Sequence, residues 1–484
     1  MIHALSLLAL ALPTRAALAA PVATRRPAVS LVALGCPKNT VDAEVMLGHL
    51  QREGYDIVAQ PKDADVVIVN TCAFVEDAKR ESIAAVIAAG EFKLDRSVPA
   101  KVLCVTGCLA QRYADELALE LPEVDAVVGF EGYQDIPDKI AEALEANADG
   151  NSPDGSVAVA VGSPTGAFRS EEDRWRLTAA HTPYVRVAEG CDHACTFCAI
   201  PSFRGAFRSK PFDVLIAEAA RLVEGGVREL NLIAEDTNQY GTDFGESDAR
   251  RLPELLRALS TELPQLKWIR LLYCYPAPFS EELIDEIADN PKVVKYIDIP
   301  LQHLESNVLK RMRRPGGEAT LALLRKLRAR IPSLVLRTTF ICGFPGETHE
   351  DHRELVRLAR ELGFERGGAF AHSQEDGTPA AEMGDQLDDE TKLARRDELE
   401  ALFQQRYASW ASSLVGKTVR AMVDRMDGTD AVGRTEFDAP EIDQCVRIPG
   451  MALAPGTELR VRVVAVDPMS DIIAEPVMPS DAEY

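Results

Sequence analysis

Apolar and polar positions alternate in a strand–helix rhythm over the first third of the chain. Three short apolar runs are typical of β-strands, at residues 29–34, 65–69 and 101–106. Helix-like stretches lie between them, at residues 42–53 and 77–89. Strands that alternate with helices form a parallel sheet with helices on its faces. We therefore expect an N-terminal open parallel-sheet domain over residues 28–147.

The middle of the chain repeats this rhythm. Six apolar runs predict strands, at residues 184–188, 229–234, 268–272, 293–299, 335–341 and 367–371. Helical patterns separate them, for example at residues 214–224, 280–288 and 350–362. These α/β units predict a partial (β/α) barrel over residues 181–411, with its chemistry at the C-terminal ends of the strands. Residues 148–180, rich in Gly, Pro, Asp and Ser at their start, are interpreted as a linker.

Shorter runs mark the last part of the chain, residues 413–478. Strand-like segments occur at residues 419–424, 431–435, 444–448, 458–466 and 472–475. Gly, Pro and Asp separate them. This profile predicts a small all-β barrel.

The first 27 residues have a different composition. No acidic residue precedes Asp42, and a short apolar run at residues 4–12 is followed by the small residues 17–20. The run is too short to cross a membrane, and no later segment is long and apolar enough to do so. Residues 1–27 are therefore a candidate targeting segment, with an over-long start of no function as the alternative.

The composition limits the function classes. A formal net charge of -23 argues against a general nucleic-acid-binding surface, because phosphate backbones require Lys and Arg. Such an acidic surface suits a basic partner, or serves solubility alone. Ten cysteines in 484 residues are too few for a disulfide scaffold.

Three cysteines lie close together after the first strand of the central core. Cys191, Cys195 and Cys198 form a C-x3-C-x2-C loop. Such a loop can bind three irons of a four-iron cluster, and the fourth iron then keeps an open coordination position. Zinc is the competing interpretation, although no fourth cysteine lies nearby and the spacing makes His193 a poor ligand.

With Phe197 before its third cysteine, this loop resembles the signature of the radical-SAM superfamily. The resemblance implies that the open iron binds S-adenosylmethionine and that reductive cleavage yields a 5′-deoxyadenosyl radical. It makes Cys191, Cys195 and Cys198 the expected catalytic residues. The strand ends at residues 234–237, 300–303 and 343–347 should line the S-adenosylmethionine pocket. Gln302, His303 and Arg337 have no assigned role, since polar packing explains them equally well.

Three further cysteines, Cys36, Cys72 and Cys108, follow the three strands of the N-terminal domain. The carboxyl ends of parallel strands meet at one edge, so these thiols can converge on one site. Widely spaced cysteines can also be buried apolar residues, and this alternative stays open on spacing alone. The remaining cysteines lack partners at metal spacing and are interpreted as structural: Cys104, Cys274, Cys342 and Cys445.

The stretches around these three cysteines, residues 34–39, 70–74 and 106–111, resemble the cluster-binding stretches of the methylthiotransferases. The resemblance implies a second, auxiliary cluster on Cys36, Cys72 and Cys108 that delivers sulfur. The expected cofactors are therefore two 4Fe-4S clusters and S-adenosylmethionine. Both clusters should face one cavity between the first and second units.

Two branches of methylthiotransferases are relevant, and several stretches resemble the RimO-type branch. They are Gly-Cys-Pro-Lys-Asn at residues 35–39, Ile-Pro-Leu-Gln-His at 299–303, and residues 338–347, 373–380 and 433–443, the last of which resembles the TRAM domain of that branch. This implies methylthiolation of the β-carbon of an aspartate in a small-ribosomal-subunit protein of the uS12 type. The alternative is a tRNA adenosine substrate (MiaB type). Four residues depart from the branch pattern near the pocket: Glu235, Cys342, Gly368 and His372.

The charge of the last domain bears on the partner. Residues 413–484 contain 7 Lys and Arg against 13 Asp and Glu, which suits a basic ribosomal protein better than RNA. The alternative is that these carboxylates only solvate the surface. The chemistry also requires an external reductant and a sulfur donor, while membrane and direct nucleic-acid contacts are not expected. Oxygen-sensitive clusters predict a cytoplasmic protein, or a plastid or mitochondrial one if residues 1–27 are a transit peptide, and not a secreted one.

Overall fold

The computed structural model describes residues 25–95, 97–148, 157–163, 171, 174–246, 248–277, 279–467 and 471–477. The chain divides into two compact units, Met1–Leu177 and Thr178–Tyr484. Most of the candidate targeting segment and much of the predicted linker lie outside the described residues. In the part of the chain that is described, no helix has the length and apolar character needed to span a bilayer.

The first unit contains a six-stranded sheet whose neighbouring strands are all parallel, in the order β2-β1-β3-β4-β5-β6. Its strands are β1 (Ala28–Ala33), β2 (Asp56–Ile57), β3 (Val66–Thr71), β4 (Val102–Thr106), β5 (Ala126–Val128) and β6 (Ala158–Ala160). Its helices are α1 (Pro37–Arg52), α2 (Glu76–Leu94), α3 (Gly107–Arg112), α4 (Ala114–Glu120) and α5 (Ile136–Ala148). The predicted open parallel sheet is confirmed.

Two details of this unit differ from the expected pattern. Helix α1 begins at Pro37, earlier than residue 42, and Cys36 is its N-cap residue. Proline suits the first turn of a helix because it lacks an N–H and its φ is preset. Strand β6 lies within the stretch interpreted as a linker and pairs with β5 at the sheet edge.

The second unit begins with a six-stranded parallel sheet in the order β14-β13-β12-β11-β10-β7. Its strands are β7 (Tyr184–Arg186), β10 (Glu229–Ile233), β11 (Trp268–Leu271), β12 (Val293–Asp298), β13 (Val335–Cys342) and β14 (Arg366–Ala371), and a small antiparallel pair joins β8 (Ala188–Glu189) to β9 (Arg208–Ser209). Its helices are α6 (Ile200–Arg204), α7 (Phe212–Glu224), α8 (Leu252–Glu262), α9 (Glu281–Asp289), α10 (Ser306–Arg311), α11 (Gly317–Arg330), α12 (His349–Leu362) and α13 (Asp389–Ser413). Each of the six predicted runs forms one of these parallel strands.

Helix α13 covers the edge strand β14. A side chain at Gly367 would lie 2.3 Å from the Phe403 ring, so the glycine lets the helix approach the strand closely. The Ala369 N–H donates to the Glu400 carboxylate at 2.5 Å, which satisfies a donor of the edge strand. The edge is therefore covered by the chain itself.

The last part of the second unit is a closed five-stranded barrel, in the order β15-β16-β17-β19-β18. Its strands are β15 (Thr418–Asp427), β16 (Asp430–Thr435), β17 (Val446–Ile448), β18 (Glu458–Val466) and β19 (Ile472–Pro476). Small and branched side chains such as Ala421, Val423, Val461 and Ala474 fill its core. The predicted all-β barrel is confirmed.

Buried ion pairs join this small barrel to the parallel sheet of the same unit. Glu229 of β10 pairs with Arg270 of β11 at 2.9 Å and with Arg434 of β16 at 2.8 Å. Arg434 also holds Asp424 of β15 at 2.8 Å, and His181 contacts the same carboxylate at 2.8 Å. The side chains of Glu229 and Arg270 are fully buried. Removal of either one would therefore leave the other as an unpaired buried charge, which is strongly destabilising.

A second polar contact involves the segment 433–443. Arg366 of β14 pairs with Asp438, and the Tyr296 hydroxyl donates to Asp443 at 2.7 Å. On the surface of the barrel, Glu436 binds Arg420 at 2.7 Å. Arginine side chains of the same chain pair with Asp438 and Glu436, and a tyrosine hydroxyl donates to Asp443. Some acidic residues of the last domain therefore make contacts within the chain, which the composition alone does not reveal.

Candidate functional site

The C-x3-C-x2-C loop is held by backbone contacts at its start. Gly190 has φ 78°, and a side chain there would lie 2.1 Å from the Ala206 carbonyl oxygen. The Cys191 N–H donates to Gly205 O at 3.0 Å, and the Asp192 carboxylate accepts the Phe207 N–H at 3.0 Å. Only glycine at position 190 allows this close approach.

Thr196 fixes the far side of the loop. Its N–H donates to Met312 O at 3.1 Å, and its hydroxyl donates to Arg311 O at 2.9 Å. Its carbonyl accepts the Ala380 N–H at 2.9 Å. The C-terminal end of α10 and the residue after it therefore support the cysteine loop.

Two of the three loop sulfurs receive backbone donors. The His193 N–H donates to the Cys191 sulfur, and the Ile200 N–H donates to the Cys198 sulfur. Burial raises the pKa of both thiols to about 12, and the neighbouring Cys195 adds to the rise because the three sulfurs lie close together. Donors aimed at sulfur stabilise negative charge on it, which is what thiolate ligands of an iron–sulfur cluster require.

The third sulfur, that of Cys195, has side-chain neighbours instead. Arg314 Nη1 lies 3.8 Å from the Cys195 sulfur, and the Tyr275 hydroxyl is within hydrogen-bonding reach of it. The Arg314 guanidinium lies 4.1 Å above the Tyr275 ring. His193 stacks against the same ring with centroids 3.7 Å apart, and its Nε2 lies 2.7 Å from Asp236 Oδ2. Thus Nε2 of His193 faces a carboxylate.

The strand ends predicted to line the S-adenosylmethionine pocket lie at the C-terminal edge of the sheet. Gln302 follows β12 with φ 70°, a left-handed value that is rare for a residue other than glycine and is enriched at functional sites. Its N–H donates to Thr339 O at 2.8 Å, and its carbonyl accepts the Ile341 N–H at 2.8 Å. Tyr273, after β11, has φ 60°. Two adjacent strand ends therefore hold strained backbone beside the cysteine loop.

The loop after β13 is closed by Glu347. One carboxylate oxygen accepts the N–H groups of Gly343 and Phe344 at 2.7 and 3.1 Å, and the other binds Arg395 at 2.8 Å. Burial outweighs these donors and raises the pKa of Glu347. The buried Glu347 side chain thus holds the backbone of this loop in place.

His303 and Arg337, to which the sequence assigns no role, bind other residues of the chain. His303 Nδ1 accepts the Glu305 N–H at 2.9 Å, and burial lowers the pKa of His303 to about 3, so its ring is neutral. Arg337 pairs with Asp298 at 2.9 Å. These contacts fit polar packing at the barrel rim.

In the first unit, Cys36 and Cys72 are brought together by Gly35. This glycine has φ 93°, and a side chain there would lie 3.1 Å from the Cys72 sulfur. Cys72 follows β3, and its N–H and carbonyl both bond to the Ser82 hydroxyl, at 2.9 and 3.0 Å. The strand ends of β1 and β3 therefore meet at adjacent cysteines.

Asn39 links the third cysteine to the other two. Its side-chain nitrogen donates to Leu34 O at 3.1 Å and to Thr71 O at 2.8 Å, the residues shortly before Cys36 and Cys72. Its side-chain oxygen accepts from the Cys108 sulfur at 3.4 Å. Asn39 is fully buried. Cys36, Cys72 and Cys108 thus share one sheet edge, where the Asn39 side chain binds Cys108 and the backbone just before the other two.

The donor sets fit four-iron clusters. Among the described residues, no three Cys, His, Asp or Glu side chains are gathered as the ligands of one metal ion would be. A cubane makes a different demand, because each thiolate binds a different iron. In the second unit the loop brings three sulfurs close together, and in the first unit three cysteines lie at one sheet edge near Asn39, which is the kind of donor set that a cubane would use.

The four cysteines interpreted as structural lie apart from these sets. Cys104, Cys274 and Cys342 are fully buried, and Cys445 is partly buried. Burial raises the pKa of Cys104 to about 12 and that of Cys445 above its usual value. These thiols are expected to be inert core groups.

The motifs do not identify every residue around the sulfurs. Asn39 lies within the Gly-Cys-Pro-Lys-Asn stretch. A polar residue on the buried face of α1 indicates a role at the site, so Asn39 could have been found from the sequence. Tyr275 and Arg314 carry no local signal, because their partner Cys195 lies far away in the sequence.

Three family models match successive parts of the chain. Residues 28–129 match the uncharacterized protein family UPF0004, residues 185–359 match the radical SAM superfamily, and residues 415–477 match the TRAM domain. These segments coincide with the parallel sheet, the partial barrel and the small barrel.

Curated relatives match most of the chain. The "ribosomal protein uS12 methylthiotransferase RimO" of Trichlorobacter lovleyi is 43% identical over 424 residues, which are 87% of this chain and 92% of the relative. The protein of the same name from Clostridium tetani is 42% identical and covers 86% and 90%. That of Citrifermentans bemidjiense is 41% identical and covers 90% and 95%.

Solved structures support the fold. The radical S-adenosylmethionine methyltransferase TsrM of Kitasatospora setae, solved with cobalamin and a [4Fe-4S] cluster bound, superposes with a TM-score of 0.50 at 16% identity and covers 74% of each chain. This likeness shows the architecture alone. The relatives and the family models place the chain among known enzymes. The chain belongs to the radical-SAM methylthiotransferases, in the RimO family.

Proposed function

We propose that this enzyme attaches a methylthio group to the β-carbon of an aspartate side chain in ribosomal protein uS12. The observation that carries the proposal is the pair of cysteine sets, each at a sheet edge, in a chain about 42% identical to enzymes named for uS12 over about 86% of its length. The proposal takes its substrate from those names and its target atom from the motif resemblance.

Six residues hold the cofactors in this proposal. Cys191, Cys195 and Cys198 bind the cluster that takes S-adenosylmethionine, and Cys36, Cys72 and Cys108 bind the auxiliary cluster. When bound, these groups supply radical chemistry and sulfur. The chain positions the sulfurs through the backbone N–H groups of the loop, Arg314 and Asn39.

Radical chemistry suits the proposed target. The β-carbon hydrogen of an aspartate is not acidic, so a general base has little to act on. Near the strand ends, burial lowers the pKa of His303 to about 3 and that of His372 to about 4, so neither ring carries a charge at neutral pH. In this proposal the residues that line the pocket hold and shield the reactants, and none of them acts on the β-carbon hydrogen. Both cysteine sets must reach one substrate, and an external reductant and sulfur donor complete the proposal.

A direct assay tests the substrate. Anaerobically reconstituted protein, supplied with reductant, sulfide and S-adenosylmethionine, is expected to add one methylthio group to uS12 and none to tRNA. Mass spectrometry of uS12 peptides and of tRNA nucleosides reads out both substrates. Modified adenosine with unmodified uS12 would replace this proposal with the tRNA alternative.

Iron analysis tests the two cysteine sets. The reconstituted protein is expected to bind about eight irons if both cubanes form. The triple variant Cys36→Ala/Cys72→Ala/Cys108→Ala is expected to bind about four, since only the loop set remains. Cys104→Ala, a buried cysteine of the same sheet, is the control and should keep about eight. A wild-type protein with about four irons and full activity would contradict the two-cluster proposal.

A further inference from the structure

The Cys195 sulfur lies against the charged side chain of Arg314. Arg314 Nη1 lies 3.8 Å from that sulfur, whereas Cys191 and Cys198 receive neutral backbone N–H donors. Arg314 lies outside the C-x3-C-x2-C loop motif. The residue follows α10, in the segment that also holds Thr196.

The Arg314 guanidinium is fixed on three sides. Nη2 donates to the Pro300 carbonyl at 2.5 Å, Nη1 faces the Cys195 sulfur, and Cζ lies 4.1 Å from the centroid of the Tyr275 ring. Stacking on an aromatic face and a fork of donors are what distinguish arginine from lysine. The charge is therefore held in one place.

Tyr275 is itself anchored. Its N–H donates to Asn238 Oδ1 at 2.7 Å, and its carbonyl accepts from Asn238 Nδ2 at 3.0 Å. His193 covers the opposite face of the ring and is tied to the buried Asp236. The stack of His193, Tyr275 and Arg314 therefore connects the cysteine loop to the ends of β10 and β11.

We infer that Arg314 is a positioning residue that raises the reduction potential of the cluster on Cys191, Cys195 and Cys198. The inference rests on the proposed function, because it requires that cluster. Reduction adds one negative charge to the cluster, and a fixed cation beside one ligand sulfur stabilises the reduced form more than the oxidised form. Charge and hydrogen bonds to the sulfurs are known determinants of cluster potential. Arg314 thereby makes the electron transfer that cleaves S-adenosylmethionine easier to drive.

The test measures the midpoint potential of a single cluster. In the full-length background Cys36→Ala/Cys72→Ala/Cys108→Ala, only the loop cluster forms, and its reduced state is followed by electron paramagnetic resonance during a redox titration. Arg314→Gln is expected to shift the oxidised-to-reduced equilibrium about tenfold towards the oxidised form, which is about 59 mV for one electron. Arg314→Lys, which keeps the charge without the fork, should shift it less.

Arg313→Gln is the matched control, because Arg313 is the exposed neighbour of Arg314 and should leave the potential unchanged. An Arg314→Gln potential equal to that of the background would overturn the inference, as would an equal shift in Arg314→Lys. Should Arg314→Gln bind no cluster, the second neutral variant Arg314→Met decides: a potential about 59 mV below the background supports the inference, and an unchanged potential refutes it. A background protein that binds no iron would instead refute the proposed cluster site.

Discussion

Replacing Cys72 with alanine is expected to abolish methylthiolation while reductive cleavage of S-adenosylmethionine continues. Cys72 contributes one of three sulfurs at the edge of the first sheet, beside Gly35 and close to Asn39. Its loss removes the proposed auxiliary cluster. The loop of Cys191, Cys195 and Cys198 lies in the other unit and keeps all its ligands. Chromatography of 5′-deoxyadenosine and mass spectrometry of uS12 measure the two outcomes separately.

Two control variants separate chemistry from folding. Cys104→Ala removes a fully buried thiol from β4 of the same sheet and should keep both activities. Cys195→Ala removes a ligand of the other set and should lose both activities, because cleavage comes first. Sulfur insertion by Cys72→Ala at the wild-type rate would contradict the assignment of this cysteine.

The positions of the cysteines at strand ends follow from the sequence. Strands of parallel sheets are buried on both faces, so β3 and β4 appear as continuous apolar runs whose ends are easy to locate. Cys72 follows β3, and Cys108 lies in the first turn of the helix after β4. Strand order does not follow from the apolar runs, because β1 pairs with β3 and the short β2 lies on the outer side of β1.

Helix α13 is an element that the apolar pattern does not predict. Its 25 residues carry many charges, and its buried side chains face β14 and β13. The packing depends on Gly367, whose missing side chain makes room for Phe403. A local signal does exist, because Asp388 caps the helix by accepting the Thr391 N–H at 2.8 Å.

Pairings across long stretches of chain are the part that sequence patterns leave open. Arg314 and Cys195 are 119 residues apart, and Arg366 and Asp438 are 72 residues apart. Each pair meets only because separate elements pack, so no local spacing encodes the contact. The 433–443 segment shows the consequence: its motif resembles a branch signature, and its carboxylates bind the sheet of the same unit.

Replacing Arg434 with methionine is expected to lower the free energy of unfolding of the second unit by about 3–5 kcal/mol, because removal of one partner leaves buried charges unpaired. Arg434 binds Glu229, which is fully buried, and Asp424, which is one-fifth exposed. Methionine keeps an unbranched, flexible side chain but supplies no charge. Urea unfolding followed by tryptophan fluorescence measures the loss, since Trp268 and Trp410 lie in this unit.

A control variant and the pH dependence test whether the loss of the ion pair causes the loss of stability. Arg462→Met, at an exposed position of β18, should change stability by less than about 0.5 kcal/mol. Burial tends to raise the pKa of Asp424, but Arg434 and His181 outweigh it and hold that pKa at about 2, below its ordinary 3.8. The wild-type protein should therefore lose this part of its stability as the pH falls from about 4 towards 2, because protonation breaks the pair. Arg434→Met should show a weaker pH dependence there, and equal slopes in both proteins would show that the ion pair does not hold the small barrel in place.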